Sequence, residues 1–187
     1  ITNDRSQKVS HLLRSENDCI FSTSKSINKD NSLLNCRIKG LNNFKPDLFI
    51  IDLNLKLKKN LSINKMTRKR KTFLITCQKD KKKISSYRKK GFIVFYINSL
   101  NTKKDFSIML KRIYKLGYSR AFFETGLTFL NTLLKLKLLN NLYVFQNNVK
   151  LRNNGLNNSS SRYLKKIKFN KKIKINLNDD SLFKREF

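Results

Sequence analysis

The sequence predicts an α/β fold with a mostly parallel sheet flanked by helices, and three observations carry that prediction. Short, continuously apolar runs recur at residues 48–53, 72–77 and 92–97, the pattern of strands buried on both faces. The segments that follow them keep helical spacing and stop at Gly91 and Gly117, where a chain leaving a helix commonly needs a left-handed backbone. Strand and helix therefore alternate, as crossover connections between parallel strands require.

Taken in order, Thr2 is placed to cap a helix running to about residue 16, with Val9, Leu12 and Leu13 on one face. Cys19, Ile20 and Phe21 read as a short strand within 18–23. Residues 24–46 are polar apart from Leu33 and Leu34, and read as a long functional loop ending near Pro46. After the apolar runs at 48–53 and 72–77 comes a basic helix over about 80–90, then the third run. Thr102-x-x-Asp105 is a capping-box signature, and Phe106, Met109, Leu110 and Ile113 keep the helical stripe behind it. Residues 121–123 lead to Glu124, and Gly126 opens a helix with Leu127, Leu130, Leu133 and Leu134 inside. Residues 142–145 form a further strand. Beyond a linker-like Asn/Ser stretch at 153–161, residues 164–177 alternate Ile167, Phe169, Ile173, Ile175 and Leu177 with Lys and Asn. That reads as one or two edge strands, where lysine discourages aggregation. The whole chain reads as one domain.

Composition excludes more than it assigns. Lys and Arg total 42 against 12 acids in 187 residues, a formal charge of +30, which attracts phosphate backbones. Yet Lys outnumbers Arg 31 to 11, and Asn occurs 24 times against a single Ala. That is a compositional skew of the kind that loads any surface with lysine. No apolar run approaches the roughly 18–20 residues of a membrane span. Cys19, Cys36 and Cys77 are odd in number and lack a C-x-x-C spacing, which argues for reduced thiols in a cytoplasmic compartment rather than a zinc or disulfide framework. His11 is the single histidine, so no multi-histidine metal site is expected.

Ligands of open α/β sheets bind at the carboxyl ends of strands, which singles out Asp52 and Glu124. Glu124-Thr125-Gly126 joins a strand to a helix whose first amides are open to an anion. Arg14 and Arg37 stand out in a lysine-rich chain because a guanidinium fork grips phosphate in two places. Asp30, in Lys29-Asp30-Asn31, has the look of a loop-capping acid.

In sequence order these pieces resemble one family. Ile1-Thr2, His11-Leu12-Leu13-Arg14, Asp18-Cys19-Ile20, Asp30, Leu33-Leu34 and Cys36-Arg37 are similar to the reductase part of the bifunctional riboflavin-biosynthesis deaminase–reductase. So are Gly117-Tyr118-Ser119-Arg120 through Glu124-Thr125-Gly126-Leu127-Thr128-Phe129-Leu130, and Leu138-Leu139-Asn140-Asn141-Leu142. The resemblance spans nearly the whole chain and implies a dihydrofolate-reductase-like fold. It implies NADPH-dependent reduction of the ribose of a phosphoribosylamino-uracil to a ribityl chain. Arg14, Leu34, Arg37 and Glu124 would contact the substrate. Ser26, Asp30, Gly126, Leu127, Thr128, Phe129, Leu130, Asn131 and Thr132 would contact the cofactor. Glu124 and Asp30 are the candidate proton donors, and no metal is implied in this part of the family.

The sequence departs from the family pattern at Asn31-Ser32, where a second acid and a proline are usual, at Thr125 or Leu127 for a second glycine, and at Leu53 for a serine. The family's opening Ser-x-Asp-Gly-Lys strand and the zinc-binding deaminase half have no counterpart in the chain. The expectation is therefore a reductase domain over 1–187 whose first strand is missing, poorly active alone, with a bared sheet edge and a deaminase domain absent upstream. The expected partner is a small molecule, with no nucleic acid, no membrane, and association of copies through this domain. Two rivals stand beside this reading. One is a basic RNA-binding protein, resting on the Arg68-Lys69-Arg70-Lys71 run and the basic 164–175 region. The other is a non-catalytic reductase-like scaffold.

Overall fold

Five parallel strands form the principal sheet in a computed structural model that describes residues 3–41, 45–147, 162–169 and 171–187. They are β1 (Cys19–Thr23), β2 (Asp47–Ile51), β3 (Thr72–Thr76), β4 (Ile93–Tyr96) and β5 (Ala121–Phe123), in the order β4-β3-β2-β1-β5. The helices are α1 (Asp4–Ser15), α2 (Ser24–Asp30), α3 (Lys81–Lys89), α4 (Lys103–Lys115), α5 (Leu127–Lys135) and the short α6 (Arg162–Lys165). A second, antiparallel sheet has the order β6-β8-β7, from β6 (Asn141–Asn147), β7 (Lys171–Lys172) and β8 (Asp180–Glu186). Backbone contacts divide the chain into two compact units, His11–Gly126 and Ile1–Ser10 with Leu127–Phe187.

In the first unit, one face of the sheet is locked by phenylalanine. Phe21 pairs in register with Phe49 and Phe123, and Phe49 with Phe73. The rings stack across four strands at centroid spacings of 4.6, 4.9 and 4.3 Å, and Tyr118 meets Phe49 edge-on at 5.1 Å. A one-residue slip would put every ring on the other face, so the stack specifies register as well as burying area. The opposite face carries the aliphatic core, with Ile20, Leu48, Ile50 and Leu74 fully buried together with Ile27 of α2 and Ile84 and Tyr87 of α3. Helix α4 covers the phenylalanine side: Arg112 lies 4.3 Å over the ring of Phe95, whose strand neighbours on that face are Phe73 and Ile75. The switch of face follows from handedness. Connections running from β1 toward β4 put their helices on one side, and the return from β4 to β5 must use the other.

The expected elements recur with instructive differences. The Thr102–Asp105 capping box is complete, and Leu133 is the most buried of the leucines expected inside α5. Leu12 instead is 42% exposed; Ser6, His11 and Leu13 make the buried positions of α1. Part of the 24–46 loop is helix α2. Its sequence hides this, since Ile27 is its one buried apolar side chain, and the helix is held by the Thr23 hydroxyl accepting the Ser26 amide. Among the described residues of the alternating stretch at 164–177 are the end of the short α6, the two-residue β7 and an isolated bridge from Leu177 to Asp180. The partner of β6 is β8, a strand the sequence pattern did not announce. Within that unit, Asp180 at the head of β8 accepts from the Asn3 amide, the Ser6 hydroxyl and the Asn147 side chain. The Thr2 cap and the whole 153–161 linker lie outside the described residues, as does Asn170.

Candidate active site

Chain order runs from β1 outward to β2, β3 and β4, then returns across the sheet to β5 on the far side of β1. Strands β1 and β5 therefore flank the topological switch point, and the carboxyl-end crevice there is where such sheets bind ligands. Three of the expected site residues, Ser26, Glu124 and Gly126, leave these two strand ends. The Glu124 amide donates to the Phe21 carbonyl at 2.9 Å, continuing the ladder, and the Ser22 hydroxyl donates to the Glu124 carbonyl at 2.9 Å. These bonds fix the backbone and leave the carboxylate to project from the strand end.

That carboxylate meets Arg14 at the end of α1. Arg14 Nε donates to Oε2 at 2.8 Å and Nη2 to Oε1 at 2.7 Å, while Nη1 donates to the Asn35 carbonyl at 2.8 Å. The pair is a two-point fork, with side-chain exposure of 12% for Arg14 and 33% for Glu124. His11, one turn earlier on α1, is buried, and its Nδ1 lies 2.9 Å from the same Asn35 carbonyl. Arg14 Nη1, a donor, lies 3.2 Å from the same Nδ1, so this ring nitrogen faces both a donor and an acceptor. Burial, and then the nearby Arg14 charge, lower the His11 pKa below its usual value. Arg37 acts in the same direction and Glu124 against it, which puts all four groups in one electrostatic neighbourhood.

Leu34 is buried and has φ +50°, a backbone that a branched side chain rarely adopts. Its segment is held by Arg70, whose Nη1 donates to the carbonyls of Leu34 (2.7 Å) and Pro46 (2.9 Å) and whose Nη2 donates to that of Leu33 (2.6 Å). Arg70 is 7% exposed, and burial lowers its pKa to about 10. One member of the basic run at 68–71 is thus an internal clamp. Sequence reasoning missed it because a run of like charges reads as a solvated surface; spacing alone does not reveal which member turns inward.

Among the residues expected at the cofactor, the Gly126 amide donates to Ser26 Oγ at 3.1 Å, and Ser26 Oγ is 3.0 Å from Thr23 Oγ1. A Cβ on Gly126 would come within 3.4 Å of Ser26 Oγ. That is ordinary van der Waals contact, so the approach of the two turns does not itself demand glycine here. Asp30 and Arg37 are exposed, Asp30 as the last residue of α2. The adjacent Asn31 takes a left-handed φ of 45°, and its side chain accepts the Ser62 amide at 2.8 Å. Asparagine tolerates that conformation well, a local reason for this departure from the family pattern. In the other unit, Thr128 is exposed on α5 while Leu127, Phe129, Leu130, Asn131 and Thr132 are half-buried. Asp52, singled out by its strand end, is 2% exposed and spent on its own loop. It accepts from the Ser24 hydroxyl and from the amides of Lys56 and Leu57. Among the described residues, no three His, Cys, Asp or Glu side chains converge as a metal site, and no helix is long and apolar enough to cross a membrane.

Comparisons with known proteins agree on one family. The sequence profile of the RibD C-terminal domain matches residues 1–151. Among solved structures, RibD of Acinetobacter baumannii (form 2) superposes with a TM-score of 0.75 at 16% identity, over 98% of this chain and 51% of its own. The deaminase/5-amino-6-(5-phosphoribosylamino)uracil reductase of Thermotoga maritima gives 0.71 at 15% identity, over 98% and 49%. The riboflavin biosynthesis reductase Rib7 of Saccharomyces cerevisiae gives 0.70 at 18% identity, over 98% and 81%. The chain thus spans about half the length of the two RibD-type structures. No curated protein matches the sequence.

Proposed function

The chain belongs to the RibD C-terminal domain family, and on that premise we propose that it acts as the reductase of riboflavin biosynthesis. The reaction is the NADPH-dependent conversion of the ribose of 5-amino-6-(5-phosphoribosylamino)uracil to a ribityl chain. The observation that carries the reading is the Arg14–Glu124 fork at the switch point, beside the Ser26–Gly126 turn.

Each residue contributes by binding and orientation, since the reduced nicotinamide supplies the hydride when bound. Glu124 has both oxygens engaged by Arg14, each keeping acceptor capacity for a hydroxyl or N–H of the substrate. With its fork committed to Glu124 and Asn35, Arg14 serves chiefly to fix that carboxylate. The substrate phosphate then falls to the exposed guanidinium of Arg37. Leu34 offers an apolar contact from a backbone held by Arg70. A proton must be delivered as the ring-opened sugar is reduced, and Glu124 and Asp30 are the candidates. On the cofactor side the residues fit a dinucleotide. Glycine at 126 leaves the backbone open, and Ser26 and Asp30 stand at the ends of β1 and α2. Leu127, Thr128, Phe129, Leu130, Asn131 and Thr132 are proposed cofactor contacts on the sequence resemblance.

The test follows loss of the reduced-nicotinamide absorbance with the aminouracil substrate. Arg37→Met should raise KM by about 10- to 100-fold, the worth of a lost charge-assisted contact, with kcat little changed. Glu124→Gln should lower kcat/KM by about 100-fold or more. A chain that oxidises NADPH equally well in all three forms would refute the assignment, and one that binds NADPH without turnover would favour the scaffold reading.

A further inference from the structure

Charge is not spread evenly over the chain. Residues 56–90 hold 15 of the 42 Lys and Arg and only Asp80 of the 12 acids. These 35 residues thus carry +14 of the +30, where an even spread would put about +6. A compositional skew has no reason to concentrate lysine in one fifth of a protein.

The fold draws this segment together. Tyr87 donates its hydroxyl to the Leu57 carbonyl at 2.7 Å, Lys90 Nζ donates to the Lys59 carbonyl at 2.7 Å, and the Thr67 hydroxyl donates to the Lys90 carbonyl at 2.6 Å. The loop carrying Lys58, Lys59 and Arg68 therefore lies along the end of α3, beside Arg88 and Lys89. All five cations are exposed. Along α3, from the residues before its start to Arg88 in its last turn, an open cavity of about 440 Å³ is lined by Lys79, Lys81, Ile84, Ser85, Arg88 and Tyr96. Tyr96 comes from edge strand β4 and is 36% exposed. In sequence the aromatic residues lie mainly in apolar runs, but here a ring sits among three cations.

We propose that this face binds a single-stranded nucleic acid, with Lys79, Lys81 and Arg88 on its phosphates and an unstacked base on Tyr96. Cations along a backbone track with an aromatic platform are the elements of sequence-tolerant single-strand binding. A duplex keeps its bases stacked and offers nothing to Tyr96, and an acidic peptide offers carboxylates without a ring to stack. The inference stands independently of the reductase reading, since none of these residues belongs to the Arg14–Glu124 site.

The test is fluorescence anisotropy of labelled oligouridylate and oligothymidylate against the full chain over a range of salt. Saturable binding of either supports the proposal, and the tighter of the two identifies the source. The triple variant Lys79→Ser, Lys81→Ser, Arg88→Ser should flatten the log–log salt dependence by about 2, since each single-strand phosphate contact contributes about 0.7. Tyr96→Ala should weaken binding at least about fivefold, the low end of one base–aromatic stack, and Tyr96→Phe should restore it. Reductase activity, assayed in parallel, should be unchanged in all of them. Three results would overturn the proposal. One is an equal loss in the control triple Lys168→Ser, Lys172→Ser, Lys174→Ser. The second is displacement of the oligonucleotide by polyglutamate as readily as by unlabelled strand, which would mark an acidic-protein site. The third is its displacement by NADPH, which would give the cavity to the cofactor.

Discussion

Breaking the Arg14–Glu124 fork gives the sharpest stability test. Glu124→Gln keeps the shape but turns one of the two acceptors into an amide donor facing a guanidinium donor. One of the two bonds, at 2.8 and 2.7 Å, is lost, and Arg14 remains with the Asn35 carbonyl and no countercharge. Charge-assisted hydrogen bonds contribute about 1.5–3 kcal/mol each, exposed ion pairs at most about 1, and a broken buried pair costs about 3–5. With Arg14 12% and Glu124 33% exposed, the site lies between the last two limits, so a loss of about 2 kcal/mol is expected. Arg14→Gln should cost a similar amount, and the double variant clearly less than the sum. Urea denaturation of all four proteins, at constant m-value, should give a coupling energy of about 1.5 kcal/mol. In a melting experiment each single variant should lose about 4–8 °C, at the roughly 2–4 °C per kcal/mol of a chain this size. A coupling energy below about 0.5 kcal/mol would refute the view that the fork organises this site.

Other outcomes follow from the same structure. Arg70→Lys should destabilise the chain by about 2 kcal/mol or more in urea, because one ammonium on a flexible stem cannot serve three carbonyls in a fixed fork. Unchanged stability would mean the clamp on Leu33, Leu34 and Pro46 is dispensable. Phe49→Leu removes one of the two inner rings of the stack and should cost about 1–2 kcal/mol, read as a lower melting temperature. The pH response of His11 has a definite sign. Its folded pKa is depressed from 6.5, chiefly by burial and then by Arg14. Below pH 6.5 the unfolded chain therefore takes up the proton first, and stability falls as pH drops through that window. Thermal melts between pH 7.5 and 5 should show this loss in the native chain and not in His11→Gln, and parallel curves would contradict it.

The α/β class, the parallel strands and the α4 capping box were legible in the sequence because each rests on a local pattern: a continuous apolar run, a helical stripe, a Thr-x-x-Asp spacing. Family motifs likewise marked Arg14, Glu124, Ser26 and Gly126, which the fold brings to two adjacent strand ends. Local pattern fails where an element owes its existence to something distant. Helix α2 has a single buried apolar residue and forms over a capped strand end, and β8 exists because β6 needs a partner.

What the residues could not declare by themselves was which charges are spent internally. Asp52 and Arg70 look like surface or site groups in one dimension. In the fold, Asp52 closes its own loop and Arg70 turns inward to hold Leu34 in a left-handed backbone. Arg14, read as a phosphate grip, is committed to Glu124. A side chain's chemistry is fixed by its type, but the partner that satisfies it is chosen by packing. Burial makes an unmet charge too costly to leave, and only the assembled chain supplies the carbonyls and carboxylates that meet it.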